Sequence, residues 1–117
     1  MSYLLLIMEP IGQRAERTSE ASHAAYDTMV RFGEALKERG VLVAAQSLAS
    51  TQEAVRVEVR DGERRFIDGP FAEAKEMVGG FYLLNCEREE DALAIAAECP
   101  AARWCTVEVR RLAPCYE

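Results

Sequence analysis

Two short segments, Tyr3-Leu4-Leu5-Leu6-Ile7-Met8 and Phe81-Tyr82-Leu83-Leu84, are apolar at both parities. Successive side chains of a strand point to opposite faces, so a strand apolar throughout needs cover on both. Counted by parity, Leu5 and Phe81 stand on one side and Leu4, Leu6, Tyr82 and Leu84 on the other. Neither face of such a strand can be left wet. Other segments alternate instead: Val55, Val57 and Val59 with Arg56, Glu58 and Arg60, and Val107 and Val109 with Thr106, Glu108 and Arg110. Each of these needs only one dry face. The apolar pair belongs at the centre of a sheet and the alternating segments at its edges.

Helical spacing fills the gaps between strands. From Ser19 to Arg39, Ala25, Met29, Phe32 and Leu36 recur at steps of four, three and four, one stripe of a helix. Ser19 or Ser22 is its expected N-cap and Gly40 its end. A second helix enters through Glu87-Arg88-Glu89-Glu90-Asp91, where negative charge suits the N-terminal dipole, carries Ala92, Ile95, Ala96 and Cys99 on one stripe, and stops at Pro100. Val41 to Ser47 reads as a strand. Asp61-Gly62 turns the valine strand into a hairpin returning over Arg64 to Ile67. Ala72 to Met77 has the composition for one or two helical turns, which Gly79-Gly80 interrupts.

The order β, α, β, inserted hairpin, β, α, β is an α+β, ferredoxin-like split βαβ arrangement: an antiparallel sheet with two helices on one face. Residues 1–117 make a single domain, and 50% apolar residues suffice for one core. A net charge of −6 without a Lys/Arg cluster argues against nucleic-acid binding. The four cysteines, Cys86, Cys99, Cys105 and Cys115, form no C-x-x-C pair, and His23 is the sole histidine, so no metal and no cofactor are expected. The apolar run at Tyr3–Met8 is too short to cross a bilayer and has no basic segment before it. No membrane association is expected, and cytoplasmic residence with reduced thiols follows.

At Asp68-Gly69-Pro70-Phe71-Ala72-Glu73-Ala74-Lys75-Glu76, followed by Gly79-Gly80-Phe81-Tyr82, the chain resembles the DGPF branch of the YCII-related family. Tyr3-Leu4-Leu5-Leu6 and Val107-Glu108-Val109-Arg110 fit the same resemblance. It implies a homodimer, the dimeric α/β barrel, in which two sheets face one another and supply the cover that the strand pattern demands. It also implies two functional readings. One is a small-molecule-binding protein, with cofactor-independent lyase or isomerase chemistry near the DGPF loop. The other is a non-catalytic regulatory accessory protein, since some relatives are encoded beside extracytoplasmic-function sigma factors. Some relatives carry a His and Asp pair for acid–base work; the corresponding positions here hold Thr28 and Cys99, so that dyad is not carried over. Arg111 stands where the family usually has proline.

The candidate catalytic residues are Asp68, Glu73 and Lys75, two carboxylates and an amine around one turn. Phe71, Glu76 and Arg110 are candidate ligand-binding residues. Each has a structural alternative. Asp68 would accept backbone N–H groups of a turn with Pro70 at the first helical position, Phe71 would plug the core, and Lys75 would pair with Asp68 or Glu73. Glu73 and Glu76 would form a solvated face, and Arg110 would pair with Glu108 and look into the dimer. His23 reads as a surface residue.

Overall fold

The computed structural model describes residues 2–117. Its strands are β1 (Ser2–Pro10), β2 (Leu42–Ser47), β3 (Val55–Arg60), β4 (Glu63–Asp68), β5 (Glu76–Asn85) and β6 (Thr106–Arg111). The helices are α1 (Gln13–Glu16), α2 (Ser19–Glu38) and α3 (Glu89–Glu98), with 3₁₀ turns at Thr51–Glu53 and Pro100–Arg103. β1 and β5, the two wholly apolar strands, are central in the antiparallel order β2-β5-β1-β6. The expected split βαβ sheet is therefore present, and β3 and β4 form a separate two-stranded hairpin.

The register corrects the division of the apolar residues between the two faces. Leu5 lies opposite both Tyr82 and Val109, whereas Leu6 lies opposite Phe81 and Glu108, and Leu4 opposite Leu83 and Arg110. Directly opposed residues of an antiparallel pair share a face. Phe81 thus belongs with Leu4 and Leu6, while Tyr82 and Leu84 belong with Leu5, because this register matches odd positions on β1 with even ones on β5. On the helix face, Tyr3, Leu5, Ile7, Tyr82 and Leu84 are buried with Leu36, Ile95 and Cys99. Leu5, Leu36 and Leu84 are wholly inaccessible, each contributing about 1.5–3 kcal/mol relative to exposure. Leu4, Leu6, Phe81 and Leu83 on the opposite face are only half-buried.

Thr18, rather than either serine, caps α2: its Oγ1 accepts from the Ala21 N–H at 3.1 Å. The expected helical turns over Ala72–Met77 do not form. One bond, Ala74 N–H to Phe71 O at 3.0 Å, closes a turn, and the Ile11 N–H then donates to Lys75 O at 2.9 Å. That bond and the pairing of Glu76 with Pro10 draw the segment into the β1–β5 ladder. The hairpin turn is as expected, with positive φ at Asp61 and Gly62. Its predicted dry face is absent: Val55, Val57, Val59 and Phe66 are each more than half exposed, with Val57 directly opposite Phe66. No helix among the described residues is long and apolar enough to cross a membrane.

Candidate functional site

A tyrosine holds α2 away from the sheet. Tyr82 rises from β5, is 6% exposed, and its hydroxyl donates to Met29 O on α2 at 2.6 Å. Phe32 meets its ring edge-on with centroids 5.4 Å apart, and Gly33 lies so close that an added Cβ would sit 3.3 Å from Tyr82 Cε1. Burial raises the phenol pKa well above its ordinary value, so the group stays a protonated donor. On one side of this pillar Leu36 drops into the core. On the other, Ala25, Met29 and Val30 overhang Ile7, Ala45 and Gly80 of the sheet, bounding a half-open cavity of about 490 Å³. That volume lies within the ~300–1,000 Å³ of ordinary small-molecule sites.

One end of the cavity is charged. Glu9, near the end of β1, extends across Gly79, whose missing Cβ leaves the space that the carboxylate occupies. Gly12, at φ 88°, turns the chain from β1 into α1 and brings back Arg14. Its Nε and Nη2 donate to Glu9 at 2.8 and 3.1 Å, and Nη1 donates to Leu48 O at 2.9 Å. The Glu9 side chain is 14% exposed and Arg14 35%. A bidentate pair of this kind is geometrically specific and fixes the carboxylate against the cavity wall.

Gln13, beside Arg14, donates from Nε2 to Trp104 O at 2.6 Å, while its Oε1 is buried without a partner. The Arg17 guanidinium stands 5.7 Å from the Trp104 ring centroid. Glu9, Arg14, Arg17 and Trp104 all line the cavity. Next to them, burial and the Glu9 charge push the Cys105 thiol up to about 11, with Arg17 opposing. The thiol is therefore neutral near pH 7 and a poor nucleophile. Cys99, raised chiefly by burial, is equally inert.

The sequence-predicted candidates lie elsewhere. Asp68 ends β4, and Glu73, Lys75 and Glu76 follow it on an exposed stretch; none of them lines the cavity. Among the described residues Lys75 forms no ion pair with Asp68 or Glu73, and the Asp68 carboxylate accepts no turn N–H. Phe71 is half-buried outside the core, its ring covered by the Arg56 guanidinium at 3.6 Å. The Gly69 N–H donates to Ala54 O at 2.8 Å, and a Cβ on Gly69 would collide with Thr51 O. The DGPF segment thus fastens the base of the hairpin. Arg110 pairs with Glu108 at 3.4 Å on the open face, opposite the side where Val107 and Val109 pack. His23 is exposed, with Nδ1 2.7 Å from Ser19 O, and Thr28 donates to Ala24 O within α2. No sequence motif marks Glu9, Arg14, Arg17 or Trp104 as site residues, and Tyr82 reads there as part of a central strand. The available signal was the glycine pair inside an apolar strand, which marks a close approach.

The YCII-related domain matches residues 1–115 of the chain. An uncharacterised protein of Rhizobium meliloti (strain 1021) is 40% identical over 78 residues, covering 65% of this chain and 63% of that protein. The chain therefore spans less than two thirds of that relative's length. Among solved structures, a 5-chloro-2-hydroxyhydroquinone dehydrochlorinase of Burkholderia phenoliruptrix AC1100, in complex with 2,5-dihydroxybenzoquinone, superimposes with a TM-score of 0.58. It is 14% identical and the match covers 97% of this chain and 94% of that one, a likeness of fold.

Proposed function

Because the chain belongs to the YCII-related family, we propose that it is a small-molecule-binding protein whose ligand occupies the cavity between α2 and the sheet. The observation that carries this reading is an apolar cavity of about 490 Å³ with a half-buried Glu9–Arg14 pair in its wall. Apolar walls supply the driving force for binding, and a few fixed polar groups supply orientation. The dehydrochlorinase of the same fold binds a one-ring quinone, a ligand of the scale this cavity admits.

Catalysis in this reading is cofactor-independent proton transfer of the lyase or isomerase kind, with Glu9 as the carboxylate that accepts a ligand proton. Arg14 holds that carboxylate in place. The protein works in the cytoplasm, where its four thiols stay reduced. A second copy covers the open sheet face, where Leu4, Leu6, Phe81 and Leu83 are half-buried and Val43 is exposed.

A screen of small aromatic and enolic compounds by ligand-observed NMR tests the location. Glu9→Gln should abolish or reorient binding of any hit, while Asp68→Asn and Lys75→Met leave it unchanged. The reverse pattern would move the site to the DGPF loop. The exposed Val55, Val57, Val59 and Phe66 strip favours a second reading, a protein-contact role of the regulatory accessory kind. No hit in the screen, together with a stable complex through the hairpin, would favour that role.

A further inference from the structure

Arg14 and Arg17 reach the same cavity in different states. Arg14 is satisfied by Glu9 and by backbone carbonyls. Arg17 is half-buried, and among the described residues it has no carboxylate within ion-pair distance. Its contact is the face of Trp104, 5.7 Å away. A cation–π contact orients a guanidinium and leaves its charge and its hydrogen-bond fork free. The cavity wall carries three cationic and two anionic side chains in a chain whose net charge is −6. Glu9, the anion nearest this end, is already engaged by Arg14.

The space beside Arg17 also has apolar walls. Ala25, Met29 and Val30 line the same cavity as Arg17, together with the Trp104 ring. A cation partly withdrawn from water is costly without an anion, and an apolar slot beside it fits a ring. We propose that the Arg17–Trp104 end of the cavity is a subsite for the anionic group of a small planar organic acid. The ring of that acid lies against the apolar wall to which Met29 and Trp104 contribute. This inference rests on the cavity being the ligand site.

Trp104 is the sole tryptophan, so its indole N–H gives one resolved NMR signal at the subsite. Benzoate and its neutral isostere benzamide serve as probes, titrated against the intact chain. Benzoate should shift the indole signal and bind more tightly than benzamide. Arg17→Gln should weaken benzoate about tenfold, the loss of one charge-assisted contact, and leave benzamide unchanged. Arg17→Lys should recover part of the loss, which a merely structural role would not predict. Equal binding of the two probes, or benzoate binding untouched in Arg17→Gln, would overturn the anion subsite and leave the cavity reading standing. If neither probe shifts any cavity residue, both the cavity reading and this inference fall.

Discussion

Substitution of Gly33 by alanine sets two effects of opposite sign against each other. In a helix interior, alanine is favoured over glycine by about 1 kcal/mol. The added methyl would sit 3.3 Å from Tyr82 Cε1, so the ring or the helix must give by a few tenths of an ångström. Tyr82 cannot give easily, because its hydroxyl is tied to Met29 O at 2.6 Å and its ring to Phe32. Overpacking of a pinned core side chain costs about 1–3 kcal/mol. Gly33→Ala should therefore destabilise the protein by about 0–2 kcal/mol by urea denaturation. In a Tyr82→Phe background, which removes the tie and costs about 0.5–1.5 kcal/mol by itself, the ring can shift and Gly33→Ala should become neutral or stabilising. The cycle thus has a coupling energy of about 1–3 kcal/mol, the overpacking that the freed ring relieves. Stabilisation by about 1 kcal/mol in both backgrounds would express helix propensity alone. It would refute the claim that Tyr82 sets the height of α2 above the sheet.

Gly69→Ala places a Cβ on the Thr51 carbonyl, so it should cost at least about 1–3 kcal/mol in the same assay; a neutral result would show that the DGPF loop does not lock the hairpin. Cys105 and Cys99 have thiols raised by burial above the ordinary 9.0, so the unfolded chain releases these protons first. The stabilisation from Cys105 is whole below pH 9 and is lost as pH rises through about 11, and that from Cys99 falls in the same direction above pH 9. The melting temperature should accordingly fall between pH 9 and about 11, and a flat profile would contradict the burial of these thiols. In light scattering at micromolar concentration the chain should give twice its monomer mass. A soluble monomer would remove the second copy from the open face.

The architecture was legible because it follows from hydrophobic period, which burial enforces directly. The apolar runs at Tyr3–Met8 and Phe81–Leu84 mark the two central strands, and Asp61-Gly62 marks the hairpin. Which apolar residues share a face was not legible, since it depends on register between strands far apart in sequence, and Leu5 meets Tyr82 rather than Phe81. The cavity was hidden for the same reason. In the sequence Glu9 merely follows the apolar run Tyr3–Met8, and its role emerges when β5 brings Gly79 beneath it and α1 brings Arg14 back. Motif density drew attention instead to Asp68-Gly69-Pro70-Phe71. In the fold that segment is engaged with Thr51, Ala54 and Arg56 rather than with the cavity.

A crystal structure of the protein purified without stripping its small molecules, or grown with benzoate, addresses the central claim most directly. The account predicts electron density for a ring between α2 and β5, in contact with Met29 and Trp104 and within hydrogen-bond reach of Glu9 or Arg17. Helix α2 seated flush on the sheet with no space beneath it, or a ligand bound instead beside Asp68, Glu73 and Lys75, would contradict it.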